Sequence, residues 1–431
     1  MNYSEEAEPS RTNPRLTWGA GGECHCVALP PLLKKIVRIP YSLPALSVIT
    51  KSRILVSRLA LIRQHALWSL HLPTITPYYA VKSNPDPTLL QWVRAQKTIR
   101  VDCASPGEMD LCLRAGFETD DILYANTMKA GEDLQGAADR RIQQTTTDSV
   151  EGVEQIAGTS WRPTVIVRLA VDDRQSRSPF SIKFGATEDE WKPILRAIRQ
   201  FGLAFGGVSF HVGSASSSPD AFTNAIELCK QFQAATNTVL PLVDIGGGFL
   251  PNEDLFRQTA SAIRKAQREW VYEPPKRWIA EPGRFFSAPV QTLLVPIVFK
   301  KSSKDKVRYL LDDSVYGQFS GIVYDHAKPH WKVVQTRSEI PSEKTSYFFG
   351  KTCDSLDLIA IQEAPPNTRW GTSLPFRGWG PIRAPRPRLL TDSNSLRNPI
   401  LTTRRTPCRP SLRKSHGAPR ASPFPLRLGA R

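Results

Sequence analysis

The sequence predicts an α/β chain whose larger part is a closed barrel of alternating strands and helices, followed by a smaller all-β domain. Between Thr76 and Arg284, eight short apolar or β-branched runs alternate with segments of helical periodicity. Strands this apolar, each followed by a helix, imply a parallel sheet covered on its outer face, and eight of them imply closure into a (β/α)8 TIM barrel. From Phe285 onward the helical pattern gives way to apolar runs separated by turn residues, as in PVQTLLVPIVFKK, VRYLLDD and SEKTSYFFG, which reads as all-β structure.

Residues 1–60, with GAGGECHC and LPALSVITKSRILVSRL, carry no comparable order and are set apart as a divergent N-terminal segment. The barrel is assigned to residues 61–284. Its runs are TPYYAVK, IRVDCAS, DDILYAN, IQQTTTD, TVIVRLAV, GGVSFHVG, LPLVDIGG and RWIAEPG, with helical intervals such as PTLLQWVRAQ, PGEMDLCLRAG, EWKPILRAIRQF and PDAFTNAIELCKQF. Asn-Pro and Asp-Pro turn chemistry follows Lys82 at once, so this lysine stands at the mouth of the first strand. Polar and glycine residues gather at strand ends, the face on which barrels carry their chemistry. The β domain is assigned to 285–362 and is expected to be incomplete.

A chain of 431 residues accommodates two domains. Its formal charge is +17, but residues 365–431 hold fourteen Lys or Arg against the single acid Asp392, which accounts for thirteen of those charges. That stretch also holds twelve of the thirty-six prolines and has no periodicity, so 363–431 reads as a Pro/Arg-rich tail unable to bury a core. A basic tail binds polyanions without specificity, and no specific nucleic-acid partner is expected. No run approaches the roughly eighteen apolar residues of a membrane span, and the N-terminus has no signal-peptide pattern. Seven scattered cysteines fit reduced thiols in the cytoplasm. Cys24-His25-Cys26 has ligands too close for usual zinc spacing, and no metal is expected.

Several segments, in order, resemble eukaryotic ornithine decarboxylases, pyridoxal-phosphate enzymes of the alanine-racemase-like barrel fold. They are PYYAVKSNPDP (77–87), VDCASPGEMD (101–110), ILYANTMK (122–129), VIVRLAVDD (165–173), SIKFGAT (181–187), GVSFHVGS (207–214), LVDIGGGF (242–249), IAEPGRFF (279–286), SVYGQFSGIVYDH (314–326) and GKTCDSLDLI (350–359). The resemblance implies pyridoxal 5'-phosphate as cofactor. That group needs an amine for its aldehyde, a carboxylate at its ring nitrogen, a flat partner for its ring and an anion cradle for its phosphate. On the family pattern the amine is Lys82, freed of part of its charge by burial. Glu281 faces the ring nitrogen and His211 stacks on the ring. Gly246, Gly247 and Gly248, with Ser214, Pro282, Gly283 and Arg284, form the cradle, because backbone N–H groups without side chains approach an anion closely. Asp102, Glu108 and Arg168 orient the lysine and the cofactor, and Lys183 matches a dimer-interface lysine. Taken singly, each admits a plainer reading: a solvated strand-end lysine, a core histidine, a flexible triglycine turn, a structural ion pair.

The resemblance places substrate recognition at Tyr324, Asp325 and Asp354, with Cys353 returning a proton after carbon dioxide leaves. Carboxylates suit the distal ammonium of ornithine or lysine better than a distal carboxylate. In the family Cys353 and Asp354 reach across from a second subunit, which implies a homodimer with shared active sites. The implied activity is decarboxylation of L-ornithine to putrescine, the entry step of polyamine biosynthesis. Lysine/ornithine decarboxylation, or a catalytically impaired homologue that binds the regulatory protein antizyme, are the alternatives.

After Ile359 the motifs stop. The family's Val-Gly-Asp, Met-Gly-Ala-Tyr-Thr and Phe-Asn-Gly-Phe are missing, and their tyrosine contacts the cofactor phosphate. Joining the third base of each codon to the first two of the next makes Val-Gly-Asp possible from Arg369 to Thr372, Met-Gly-Ala-Tyr-Thr from Gly378 to Arg383 and Phe-Asn-Gly-Phe from Leu389 to Ser393. The tail therefore reads as family sequence out of frame, and a chain without its last strands is expected to expose sheet edges and to lose stability and activity.

Overall fold

The eight apolar runs form one closed parallel barrel in sequence order. The structure, a computed structural model, describes residues 50–174, 176–331, 344–362 and the backbone of 373–377. After β1 (Arg53–Val56) and α1 (Arg58–His71), the barrel strands are β2 (Ile75–Ala80), β3 (Arg100–Cys103), β4 (Ile122–Tyr124), β5 (Gln144–Thr147), β6 (Thr164–Arg168), β7 (Ala204–Ser209), β8 (Leu242–Asp244) and β9 (Arg277–Ala280). Each is followed by the helix of the same number: α2 (Pro87–Arg94), α3 (Pro106–Arg114), α4 (Gly131–Asp139), α5 (Val150–Ala157), α6 (Glu188–Gln200), α7 (Pro219–Thr236), α8 (Glu253–Arg268) and α9 (Arg284–Val290). Helix starts are written into the sequence. Asp86 accepts from the N–H groups of Thr88 and Leu89, and Ser105 from that of Glu108, with Pro87 and Pro106 at the first helical position.

Alternation along each strand divides its side chains between lumen and helices. Tyr78, Leu123, Ile166, Leu242 and Ile279 form a cluster of their own, the packed lumen. Their neighbours Tyr79, Tyr124, Val165, Val167, Val243 and Ala280 join the helices in the main core. On α1, Trp68 packs against Phe249, Phe256, Phe285 and Phe286. Its indole N–H donates to the Ile75 carbonyl at 2.9 Å, which fastens α1 to the first barrel strand.

The second sheet is a curled, incomplete half-barrel built on β10 (Gln291–Ser302). The first half of β10 pairs antiparallel with β1 and with β14 (Ser373–Arg377), and its second half with β11 (Lys306–Leu311). A short helix, α10 (Gly321–Tyr324), follows β11; then β12 (Thr345–Phe349) runs parallel to β11 and β13 (Leu358–Gln362) antiparallel to β12. Its core holds Leu293, Val295, Ile297, Tyr309, Leu311, Phe319 and Phe348.

Two strands fall where the sequence shows no order. β1 lies in the divergent N-terminal segment and gives the sheet an N-terminal strand; residues 1–49, including the Cys24-His25-Cys26 triplet, lie outside the described residues. β14 lies within the tail. Leu374 and Phe376 alternate with Ser373, Pro375 and Arg377, a strand period, and a proline is tolerated on an edge strand. This side of β10 is therefore covered rather than left open, while the rest of 363–431 lies outside the described residues. Among the described residues no helix is long and apolar enough to cross a membrane.

One glycine is essential to barrel closure. Gly207 has φ +127°, and a Cβ there would lie 2.1 Å from the Leu242 carbonyl oxygen of β8. Gly207→Ala is expected to destabilise the fold by about 3 kcal/mol or more through strain and backbone collision. Urea unfolding measures this, and a loss below about 1 kcal/mol would contradict it.

Candidate active site

The alternation that sends Tyr79, Val101, Val167, Phe210, Val243 and Ala280 outward turns Lys82, Asp102, Arg168, His211, Asp244 and Glu281 inward at the C-terminal ends of the strands. Lys82 sits on a single 3-10 turn, Val81–Ser83, directly after β2. Its Nζ donates to Asp102 Oδ2 at 2.9 Å, and Asp102 is fully buried. The other Asp102 oxygen has no hydrogen-bond partner among the described residues. Burial pulls the Lys82 pKa down, but the charges of Asp102, Glu281 and Glu108 outweigh it, and the net shift is upward. The expectation that burial strips charge from this amine is thus reversed: three carboxyl groups from β3, α3 and the end of β9 hold the proton on it.

Glu108, in the first turn of α3, accepts from the Ala104 N–H at 2.7 Å, and burial raises its pKa. Its own helix start thereby holds it beside Lys82. Asp244 was not singled out by sequence, although it closes the apolar run of LVDIGGG. Its Oδ1 accepts the Gly246 N–H at 2.9 Å, which fixes the turn where Gly246 takes φ +62°. Burial, together with the nearby Asp102 charge, pushes Asp244 up to about 6. Burial and the charges of Asp244 and Asp102 push Glu281 well above the usual carboxyl range.

His211 is neutral, because burial and then the charges of Arg168 and Lys82 hold its pKa well below the ordinary value. The Gly213 N–H donates to His211 Nδ1 at 3.0 Å, so Nδ1 is the acceptor and the proton resides on Nε2. A Cβ at Gly247 would come within 2.7 Å of that Nε2 and 2.9 Å of the Glu281 carbonyl oxygen. Only glycine fits between them. Arg168, at the end of β6, lies over the Phe184 ring at 4.9 Å, and burial lowers its pKa. Lys183, on an exposed loop, lies over the same ring at 4.9 Å.

Anion-binding chemistry gathers on the other side. Arg284 Nη2 donates to Ser214 Oγ at 3.0 Å and to Asp325 Oδ1 at 2.9 Å, and its buried Nε has no hydrogen-bond partner among the described residues. Gly283, beside Arg284 and after buried Pro282, and the turn Gly246 to Gly248 present backbone free of side chains; a Cβ at Gly283 would lie 2.9 Å from Ser83. An unsatisfied guanidinium N–H, a hydroxyl and bare backbone fit a phosphate group, and an amine among carboxyl groups fits the aldehyde and ring nitrogen of pyridoxal phosphate.

Asp325 belongs to the same cluster; it is buried, and Arg177 Nη1 lies 3.7 Å from its Oδ2. Tyr324, Cys353 and Asp354 do not join it. Tyr324 is 76 % exposed and Cys353 is exposed. Asp354 accepts from the Tyr316 hydroxyl and, at 2.9 Å, from the Leu356 N–H. Arg177 and Asp244 are the members that motif reading passed over, the first for lack of a motif and the second because it ends an apolar strand.

The Asp244 environment has a pH signature. Its folded pKa of about 6 exceeds the ordinary value of 3.8. The folded state therefore holds the extra proton, and stability present below pH 4 is lost as pH rises through about 6, by up to about 3 kcal/mol. Asp244→Asn keeps an acceptor for Gly246 and is expected to flatten this fall in urea melts between pH 4 and 7. An unchanged slope would contradict the assignment.

Residues 58–288 match the pyridoxal-binding domain of the pyridoxal-dependent decarboxylases, and residues 210–380 match their C-terminal sheet domain. The second match continues past Ile359, where the motif comparison stops, and takes in β14. The chain is 36% identical over 312 residues to the ornithine decarboxylase of Schizosaccharomyces pombe, covering 69% of this chain and 71% of that protein. It is 33% identical over 339 residues to a probable ornithine decarboxylase of Dictyostelium discoideum, covering 74% and 73%. Among solved structures it is similar to the Paramecium bursaria Chlorella virus arginine decarboxylase bound to agmatine, with TM-score 0.74, 29% identity, and 78% of this chain and 91% of that chain covered. It is also similar to the lysine/ornithine decarboxylase of Vibrio vulnificus complexed with cadaverine, with TM-score 0.69, 26% identity, and 76% and 88% covered. With the barrel, the open half-barrel sheet and a mouth whose amine, carboxyl groups and anion cradle fit pyridoxal phosphate, the chain belongs to the pyridoxal-dependent decarboxylases of the ornithine, lysine, arginine and diaminopimelate family.

Proposed function

We propose that this chain decarboxylates L-ornithine to putrescine at the entry to polyamine biosynthesis. On this reading Lys82 anchors the cofactor, His211 covers one face of its ring, and Glu281 faces its ring nitrogen. Arg284, Ser214, Gly246 to Gly248, Pro282 and Gly283 hold its phosphate, with Asp102, Glu108 and Arg168 orienting lysine and ring. The bound cofactor supplies the electron sink for the carbon–carbon bond that breaks.

Asp325 carries the substrate reading. Its carboxylate is buried beside the cradle, one oxygen is taken by Arg284, and Oδ2 accepts no hydrogen bond among the described residues. A substrate with a distal ammonium completes that oxygen with a charge-assisted bond, whereas a distal carboxylate is repelled. The relatives named as ornithine decarboxylases favour ornithine over other diamino acids. Cys353 and Asp354 act from a second copy in a homodimer; the exposure of Cys353, and the pairing of Asp354 with Tyr316 and Leu356 rather than with the Lys82 cluster, support that arrangement. The protein works in the cytoplasm, with antizyme as a regulator and no nucleic-acid partner. Retention of Lys82, His211, Glu281, Cys353 and Asp354 favours an enzyme over an impaired antizyme-binding homologue.

Release of carbon dioxide from carboxyl-labelled substrates tests the reading. The cofactor-loaded chain is expected to prefer L-ornithine to L-lysine by about tenfold or more in kcat/KM, equivalent to about 1.4 kcal/mol. A chain with the alternative frame restored after Ile359 is expected to be faster by about tenfold, because it regains the phosphate-contacting tyrosine. Equal or greater activity on lysine would overturn the substrate, and equal rates from the two chains would overturn the frame argument.

A further inference from the structure

Arg177 stands in the connection between β6 and α6, at a position that no motif assigns. Its backbone is fastened. The Arg177 N–H donates to the Ser214 carbonyl at 3.0 Å, and the Ser214 N–H donates to the Ser178 carbonyl at 3.1 Å. Gly213 lets the two backbones meet, because a Cβ there would lie 2.0 Å from Ser176 Oγ. Asp173 ties the same connection together, accepting from the N–H groups of Phe180 and Ser181 and from the Ser181 hydroxyl.

This fastening aims the Arg177 guanidinium at Asp325. The Nη1 to Oδ2 separation of 3.7 Å is within ion-pair range but too long for a hydrogen bond. The opposite oxygen, Oδ1, already accepts from Arg284 at 2.9 Å. One buried carboxylate thus faces two guanidinium groups, and the oxygen nearer Arg177 accepts no hydrogen bond among the described residues. An incoming ammonium gains the hydrogen bond that Arg177 does not make, and it does so against the field of a resident cation.

We propose that Arg177 is a specificity-determining residue that competes with the substrate's distal ammonium for Asp325, so that the site binds its diamine product and substrate more weakly than Asp325 alone would allow. The inference rests on the reading of Asp325 as acceptor for that ammonium. Weak retention of a dication helps the product leave, and it raises the demand that a ligand place its second amine within hydrogen-bond distance of Oδ2.

Calorimetric titration of the full, cofactor-loaded chain with 1,4-diaminobutane at low ionic strength separates the two ideas. Arg177→Gln is expected to bind about three- to tenfold more tightly than the unaltered chain, the scale of one partly screened charge, while Arg177→Lys stays within about twofold. Asp325→Asn is expected to weaken binding and to erase the gain from Arg177→Gln. If Asp325→Asn weakens binding but Arg177→Gln leaves it unchanged or weaker, the role of Arg177 is overturned and Asp325 keeps its place. If Asp325→Asn binds as the unaltered chain does, the acceptor reading fails, and the competition with it.

Discussion

Lys82 Nζ and Asp102 Oδ2 meet 2.9 Å apart at the barrel mouth, and the arrangement of the site follows from that ion pair. A fully buried carboxylate without a partner costs several kcal/mol, so Asp102 depends on Lys82 for its charge. Lys82 in turn keeps its proton because Asp102, Glu281 and Glu108 surround it. An amine attacks an aldehyde only when unprotonated. Its proton therefore has to move before it can act, and Asp102 Oδ2, which already accepts the hydrogen bond from Nζ, lies next to it.

Strand alternation concentrates this chemistry. Inward positions deeper in the barrel are apolar, from Tyr78 to Ile279, while those at the strand ends are ionisable. Burial above this low-dielectric floor penalises the charged form of each group, as the neutral His211 and the raised Asp244 and Glu281 illustrate. Glycine at 246, 247 and 283 brings backbone to the edge of that ring at distances any side chain would forbid.

The barrel was legible because its strands are apolar runs closed by turn residues, and both periods, two and 3.6, show in the letters. Most of the mouth was legible because its residues follow those runs at fixed offsets. The charge state of Lys82 was not, since it depends on carboxyl groups from three separate elements that meet only after the barrel closes. Asp244 was hidden as the last residue of an apolar strand. β1 and β14 are strands of four and five residues whose order comes from pairing with β10, a long-range contact with no local mark in the sequence. Arg177 likewise acquires meaning only when the connection after β6 is pinned to Ser214.

A buried lysine elsewhere in the barrel, Lys129, gives the most direct test of this account. Lys129 donates to the Thr146 carbonyl at 2.5 Å, and burial holds its pKa down to about 7, so near neutral pH it is far less charged than Lys82. If charge alone chose the reacting amine, Lys129 would win; the geometry of carboxyl groups and anion cradle selects Lys82. Loading the protein with pyridoxal phosphate, reducing with borohydride and mapping the modified peptide by mass spectrometry decides between them. The account predicts the modification on Lys82 and none on Lys129; modification of Lys129, or of neither, would contradict it.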